Sequence, residues 1–166
     1  ASSAEKLAAQ ELAARIEMLS GGAKPRIVRS KDEIGQVSVM IALGVAGREN
    51  MAAKHLRKHC EQLHLPTRPE AYLISFYLHQ DGRLGIIALG ADDAGAYWAS
   101  KTLQQLLERR DNQVLIHEAE VIDWPAYRLR SFKAGGRDLK ALRRQGRWAP
   151  NAKFNCLNIC YTTLGK

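Results

Sequence analysis

Two apolar runs, Tyr72–Leu78 and residues 84–89, flank the tetrapeptide Gln80-Asp81-Gly82-Arg83. An Asp-Gly pair supplies the left-handed backbone that a tight turn needs, and aromatic, β-branched and long apolar residues on both sides favour extended chain. The segment therefore predicts an antiparallel hairpin closed by Gly90, which excludes an all-helical fold. Asp92 and Asp93 follow and can cap a helix over residues 94–109, where Arg109-Arg110 suits the negative end of the helix dipole. The apolar face of that helix holds Trp98, Leu103, Leu106 and Leu107. Residues 114–122 read as a further strand, ended by Asp123-Trp124-Pro125 because proline cannot donate to a sheet ladder.

Upstream, Ala4, Leu7, Ala8, Leu12, Ile16 and Leu19 recur at helical spacing over residues 3–20, with Ser3 as cap and Gly21-Gly22 as stop. The helical pattern opens almost at residue 1, and the expectation is that further sequence precedes it. Ile27-Val28 predicts a short strand, residues 36–43 a longer one, and residues 48–63 a second helix carrying His55 and His59. The order helix, strand, helix, hairpin, helix, strand defines an α+β fold, a small mixed or antiparallel sheet with helices packed on it.

The pattern changes after Pro125. A strand over residues 129–133, a loop at Gly135-Gly136, a helix over 138–148 and a strand over 154–161 make one βαβ unit. Such units build parallel barrels, but one copy can neither close a barrel nor bury both of its faces. The expected organisation is an α+β domain over residues 1–124 and an incomplete (β/α) barrel start over residues 125–166.

Four motifs carry a resemblance to a known family. Pro69-Glu70-Ala71-Tyr72-Leu73-Ile74 resembles the Pro-Glu-(Gly or Ala)-Tyr lead into a strand in the accessory domain shared by several glycoside hydrolase families. Residues 86–92 with Ala94-Gly95-Ala96-Tyr97-Trp98 are similar to that domain's strand, glycine, acidic cap and helix start. Thr102-Leu103-Gln104-Gln105-Leu106-Leu107 resembles its signature helix, and Ile122-Asp123-Trp124-Pro125 with Tyr127 and Arg130 resembles the lead into the catalytic barrel. Order and spacing together are more specific than any one motif, since each alone would serve in an ordinary strand end or amphipathic helix.

The resemblance is to the zincin-like accessory domain that precedes the barrel in families 20, 84 and 67: β-N-acetylhexosaminidases, O-GlcNAcase and hyaluronidase-like enzymes, and α-glucuronidases. It implies a non-catalytic N-terminal domain of a bacterial, secreted or periplasmic glycosidase acting on N-acetylhexosaminides or related glycans, with no cofactor. It also implies that Lys133, Gly135, Arg137 and Lys166 stand at barrel-strand ends, where cationic and amide groups would bind substrate. The family 84 first strand reads Arg-Gly, two residues, then Glu-Gly-Phe-Tyr-Gly. Arg130-Ser131-Phe132-Lys133-Ala134-Gly135-Gly136 keeps the arginine and one glycine, but Ser131 and Ala134 depart from it. Lys153-Phe154-Asn155 resembles the start of the second barrel strand. The catalytic acids of these families lie on later strands, so this stretch implies no catalytic residue and no turnover by itself.

The residues agree with that expectation. Glycosidic hydrolysis needs a positioned acid and base, usually two carboxylates, and after Asp123 the only carboxylate side chain is Asp138, placed to cap a helix. His55 and His59 share a helix face, but no glutamate follows the first, and Lys54, Arg57 and Lys58 would repel a cation, which argues against metal. His79 and His117 fall in separate strands and read as surface residues. Cys60, Cys156 and Cys160 have no metal spacing and form no even disulfide set; Cys156 and Cys160 read as a buried pair on one strand face.

The net charge is +8. Arg128, Arg130, Lys133, Arg137, Lys140, Arg143, Arg144 and Arg147 concentrate it against the single acid Asp138, which keeps open an alternative: a module binding a polyanion or glycan through residues 128–147. No stacking-aromatic pattern or reader motif accompanies this charge, which argues against nucleic acid. No segment reaches the ~18 apolar residues of a membrane span. Oligomeric state has no signature in the sequence.

Overall fold

The computed structural model describes residues 1–28, 34–59, 62–134 and 139–159. The chain divides at Trp124 into two compact units, Ala1–Trp124 and Pro125–Lys166.

The first unit is α+β. Helix α1 spans Ser3–Ser20, strand β1 Val39–Val45, helix α2 Met51–His59, strand β2 Tyr72–Leu78 and strand β3 Leu84–Gly90. Helix α3 spans Asp93–Leu106, followed by strands β4 (Leu107–Arg110), β5 (Gln113–Ile116) and β6 (Val121–Asp123). The main sheet runs β1-β3-β2-β6, with β1 parallel to β3 and the other two pairs antiparallel. It is a small mixed sheet, as the element order predicts.

The hairpin register runs from Tyr72 opposite Gly90 to Leu78 opposite Leu84. Arg83 N donates to Asp81 Oδ1 at 3.2 Å, and Gly82 takes φ +80°, a conformation that costs a side-chain-bearing residue energy. Both sheet faces are covered, which explains why β2 and β3 read as continuous apolar runs rather than alternating ones. Tyr72, Ile74, Ile86 and Ala88 pack with Leu12, Trp98 and Leu103 beneath α1 and α3. Leu73, Ile87 and Leu89 point the other way, onto Ala52 and Ala53 of α2. Burying an Ile or Leu side chain fully, as at Leu73, Ile74, Ile86 and Ile87, stabilises by ~1.5–3 kcal/mol each.

Helix α1 is capped by Ser2, not Ser3. The Ser2 hydroxyl accepts from Glu5 N at 3.1 Å, while Ser2 N donates to Glu5 Oε2 at 2.5 Å. Gly21 ends the helix at φ +76°, as a C-terminal glycine does. Lys101 of α3 is buried and reaches Glu11 of α1 at 2.7 Å, with its ammonium 5.3 Å from the Tyr97 ring centre. Burial, and secondarily Glu11, push the Tyr97 phenol well above its ordinary value.

Four further expectations are corrected. The helix expected over 94–109 stops at Leu106, and Leu107–Arg110 turns into β4, paired with β5 through Asp111 (φ +49°) and Asn112 (φ +63°). The strand expected over 114–122 is two strands, β5 and β6, in different sheets. Ile27-Val28 is not a strand, and the strand expected over 36–43 begins at Val39.

In the second unit, strand β7 (Ser131–Ala134), helix α4 (Leu139–Trp148), a 3-10 turn (Ala149–Ala152) and strand β8 (Cys156–Ile159) follow in order. Strands β7 and β8 pair in parallel, with Ser131 opposite Cys156 and Lys133 opposite Asn158. This is the expected βαβ unit, and its two strands do not close into a barrel. Its apolar face gathers Phe132, Trp148 and Phe154, with ring centres 5.5–6.3 Å apart.

Candidate functional site

The motif residues of the first unit form one interlocked joint. Glu70, at φ +62°, donates its backbone N–H to Asp92 Oδ2 at 2.9 Å and accepts from Trp98 Nε1 through Oε2 at 2.7 Å. Asp92 caps α3, accepting from Gly95 N at 2.7 Å. Ala71 O accepts from Ala91 N at 2.8 Å. A Cβ on Gly95 would stand 2.2 Å from that same oxygen. Tyr72 donates its hydroxyl to Asp123 Oδ2 at 2.7 Å and meets Thr102 Oγ1 at 2.8 Å. Every polar group in this joint is turned on another part of the fold. The joint fixes the strand-to-helix junction.

Lys133, Gly135, Arg137 and Lys166 are the residues expected to bind substrate. Only Lys133 can be placed, because Gly135, Arg137 and Lys166 lie outside the described residues. Lys133 is exposed on β7, while its neighbours Phe132 and Ala134 are partly and fully buried. Side chains alternate along a strand, so Phe132 and Ala134 share the face toward the aromatic cluster and Ser131 and Lys133 share the other. On β8, Leu157 lies near Gly146 of α4, a built Cβ there standing 3.7 Å from Leu157 Cδ2. Cys156 and Asn158 therefore lie on the face of Ser131 and Lys133. The pairing sets an exposed ammonium beside an exposed amide at opposed positions of a parallel pair. Asn158 was not among the expected site residues; the period of two shared by both strands was the available signal.

Two other residues of the second unit are committed to its backbone. Arg130 Nε donates to Lys153 O at 2.7 Å and its Nη1 to Tyr127 O at 2.8 Å. Asn155 accepts from Arg130 N through Oδ1 at 2.9 Å and donates through Nδ2 to Arg128 O at 2.7 Å. Asn155 thus clips the start of β8 to the approach of β7. Cys156 is a half-buried free thiol; Cys160 lies outside the described residues.

The histidines correct another expectation. His79, read as a surface residue, is half-buried with His55, His59 and Tyr77 at the open end of β2. Imidazole centres are 5.4–5.8 Å apart, His59 stacks on Tyr77 at 4.2 Å, and the Tyr77 hydroxyl and His55 Nδ1 are hydrogen-bonded at 2.7 Å. Burial first, then the charge of Lys58, hold the His59 imidazole below its ordinary value. Among the described residues no group of three His, Cys, Asp or Glu side chains could hold a metal ion. His117 is exposed, 2.8 Å from Glu108. No helix among the described residues is long and apolar enough to cross a membrane.

The mixed sheet with its covering helices, followed by a parallel βαβ unit, is a glycoside hydrolase-like fold. A chitobiase from Flavobacterium johnsoniae matches with a TM-score of 0.62 at 14% identity, over 95% of this chain and 22% of its own. A family 20 exo-β-N-acetylglucosaminidase from Vibrio harveyi, solved as an inactive mutant, matches at 0.59 and 13% identity, over 96% of this chain and 21% of its own. The structure of CpGH84B matches at 0.53 and 20% identity, over 67% and 19%. The chain thus spans about a fifth of the length of these solved proteins. No protein-family model matches it, and no curated protein does.

Proposed function

We propose that this chain is the front end of a glycoside hydrolase acting on N-acetylhexosaminides: residues 1–124 a non-catalytic accessory domain, residues 125–166 the opening of the catalytic barrel. The observation that carries the reading is the parallel β7–β8 pair, with one face on α4 and its aromatic cluster and the other bearing Lys133 and Asn158. In a (β/α) barrel the face away from the helices points inward, and strand ends supply the site. Lys133 then binds hydroxyl or carboxylate oxygens of the sugar, with Gly135, Arg137 and Lys166 as neighbours. Similarity to a chitobiase and to an exo-β-N-acetylglucosaminidase supports an N-acetylglucosamine-type substrate.

The test is hydrolysis of a chromogenic N-acetyl-β-glucosaminide. The 166-residue chain is expected to show no turnover and the full-length protein to show it, with Lys133→Ala lowering its kcat/KM by ~10-fold or more, about the loss of one charged hydrogen bond. Turnover by the 166-residue chain, or none by the full-length protein on any N-acetylhexosaminide, would overturn the reading. Unchanged kinetics in Lys133→Ala would remove that residue from the site.

A second reading rests on the exposed Lys140, Arg143, Arg144 and Arg147 of α4, a face that could bind a polyanion. Retention of the chain on heparin, falling steeply as salt rises, would favour it.

A further inference from the structure

Three imidazoles and a phenol pack together where the C-terminal turn of α2 meets the end of β2, and nothing in the proposed glycosidase reading uses them. His55 and His59 are one helical turn apart and approach His79 edge-on, at 5.7 and 5.4 Å between ring centres. Tyr77 lies between, stacked on His59 and hydrogen-bonded to His55. The phenol fits because residue 85, its register partner on β3, is a glycine: a Cβ there would stand 2.1 Å from the Tyr77 ring. The sequence thus clears space on the sheet for an aromatic stack that the histidines of α2 complete.

The stack suits neutral rings. His59 Nε2 and His79 Nε2 are both buried without a hydrogen-bond partner, and neither ring has an ion-pair partner among the described residues. An uncharged imidazole can leave one nitrogen as a bare lone pair, whereas an imidazolium carries an N–H on both and needs an acceptor for each. The charged and titratable groups around His59 are Lys58 beside it, His55 one turn back, and Tyr77 and His79 from the facing hairpin. Asp81, the carboxylate at the hairpin turn, is engaged by Arg83 at 2.7 Å; its charge also acts on His79 and does not figure among the influences on His59. Two positive rings at this spacing would also repel each other.

We propose that His59, packed against Tyr77 between His55 and His79, is an acid-opened latch that holds α2 on the sheet while its ring is neutral and releases it as the ring protonates. The sign follows from proton uptake. With its folded value depressed, His59 binds more protons when α2 is released than when it is docked. The stability of the docked state is therefore full above the ordinary imidazole value of ~6.5 and falls as pH drops from there through the depressed value. Release would uncover the layer beneath α2, where Ala52 and Ala53 pack on Leu73, Ile87 and Leu89. The α1–α3 layer on the opposite face contains no histidine and would stay closed.

The test is amide hydrogen exchange on the 166-residue chain from pH 7.5 to pH 5, corrected for the intrinsic rate, with imidazole resonances followed by NMR in parallel. The expected result is that α2 loses protection by up to ~10-fold per pH unit for each proton taken up, while α3 keeps its own. His59→Phe, which preserves the stack on Tyr77 but cannot charge, should flatten the α2 profile. Constant α2 protection across the range, or equal loss in α2 and α3, overturns the latch, as does an unchanged slope in His59→Phe. Should that variant fail to fold, the contrast between α2 and α3 in the unmodified chain decides alone.

Discussion

Gly90 of β3 and Gly95 of α3 meet backbone to backbone: a Cβ built on Gly95 would stand 3.2 Å from the Gly90 Cα, and one built on Gly90 would fall 2.0 Å from Ala96 N. The obstructing atoms are main chain, anchored by the Asp92 cap and the Ala71–Ala91 hydrogen bond, so they cannot swing aside as a side chain would.

Gly90→Ala and Gly95→Ala are therefore expected to destabilise the first unit by ~3 kcal/mol or more, at the upper end of overpacking costs. Gly82→Ala is the comparison. Its Cβ would meet nothing within 4 Å but must adopt φ +80°, a cost of ~1–2 kcal/mol. Urea midpoints of the three variants should separate accordingly, and equal midpoints would mean that the junction yields.

Removing the Tyr72 hydroxyl should cost ~1–3 kcal/mol, because Tyr72→Phe strips the buried Thr102 hydroxyl and Asp123 of a shared partner. Equilibrium unfolding followed by circular dichroism measures it. A loss below ~0.5 kcal/mol would show that water replaces the phenol in that bridge.

Leu103, wholly buried between α3 and the sheet, sets the scale for the core. Leu103→Ala is expected to lose ~2–5 kcal/mol, and bound xenon or benzene in a crystal of the variant would reveal an unfilled cavity. A milder loss with no cavity would indicate that α1 settles inward.

Acid stability has a second source besides the histidines. The Arg48 guanidinium at 2.8 Å, and next the Ser2 hydroxyl at 2.9 Å, hold the Asp93 carboxyl below the usual carboxylate range. A depressed folded value means that this contribution is present above the unfolded value and disappears as pH falls through the folded one. Asp93→Asn should thus make the urea midpoint decline less steeply than in the unmodified chain below about pH 4, while leaving the histidine-dependent region above pH 5 unchanged.

How far the sequence foretold this depends on whether the determinant was local. Asp81-Gly82 and the Asp92 cap act over a few residues, and both the hairpin and the start of α3 formed where they placed them. The β4–β5 turn was equally local but was read through: Arg109-Arg110 suits a helix end as well as a strand, and Asp111-Asn112 is a hairpin turn without the glycine that usually announces one. The histidine cluster was not local at all. His79 joins His55 and His59 only because β2 carries it back past α2, and Gly85, which makes room for Tyr77, reveals its purpose only once the register is known. For the site, the exposed Lys133 was legible as part of a strand, whereas Asn158 became its neighbour through a parallel pairing that no short-range pattern encodes.

The position of β1 has a consequence for how the molecule is made. Its sole described sheet partner is β3, so the last β1 residue, Val45, pairs with Gly90, a residue synthesised 45 positions later. At roughly 5–20 residues per second, β1 would wait about 2–9 s with its ladder groups paired only to water. The hairpin of β2 and β3 can zip as soon as its turn emerges, but β1 must then be captured from a distance, parallel, against an edge already built. Mistakes in assembly should therefore concentrate on residues 39–45, and a nascent-chain crosslink from that stretch would catch whatever guards them in the interval.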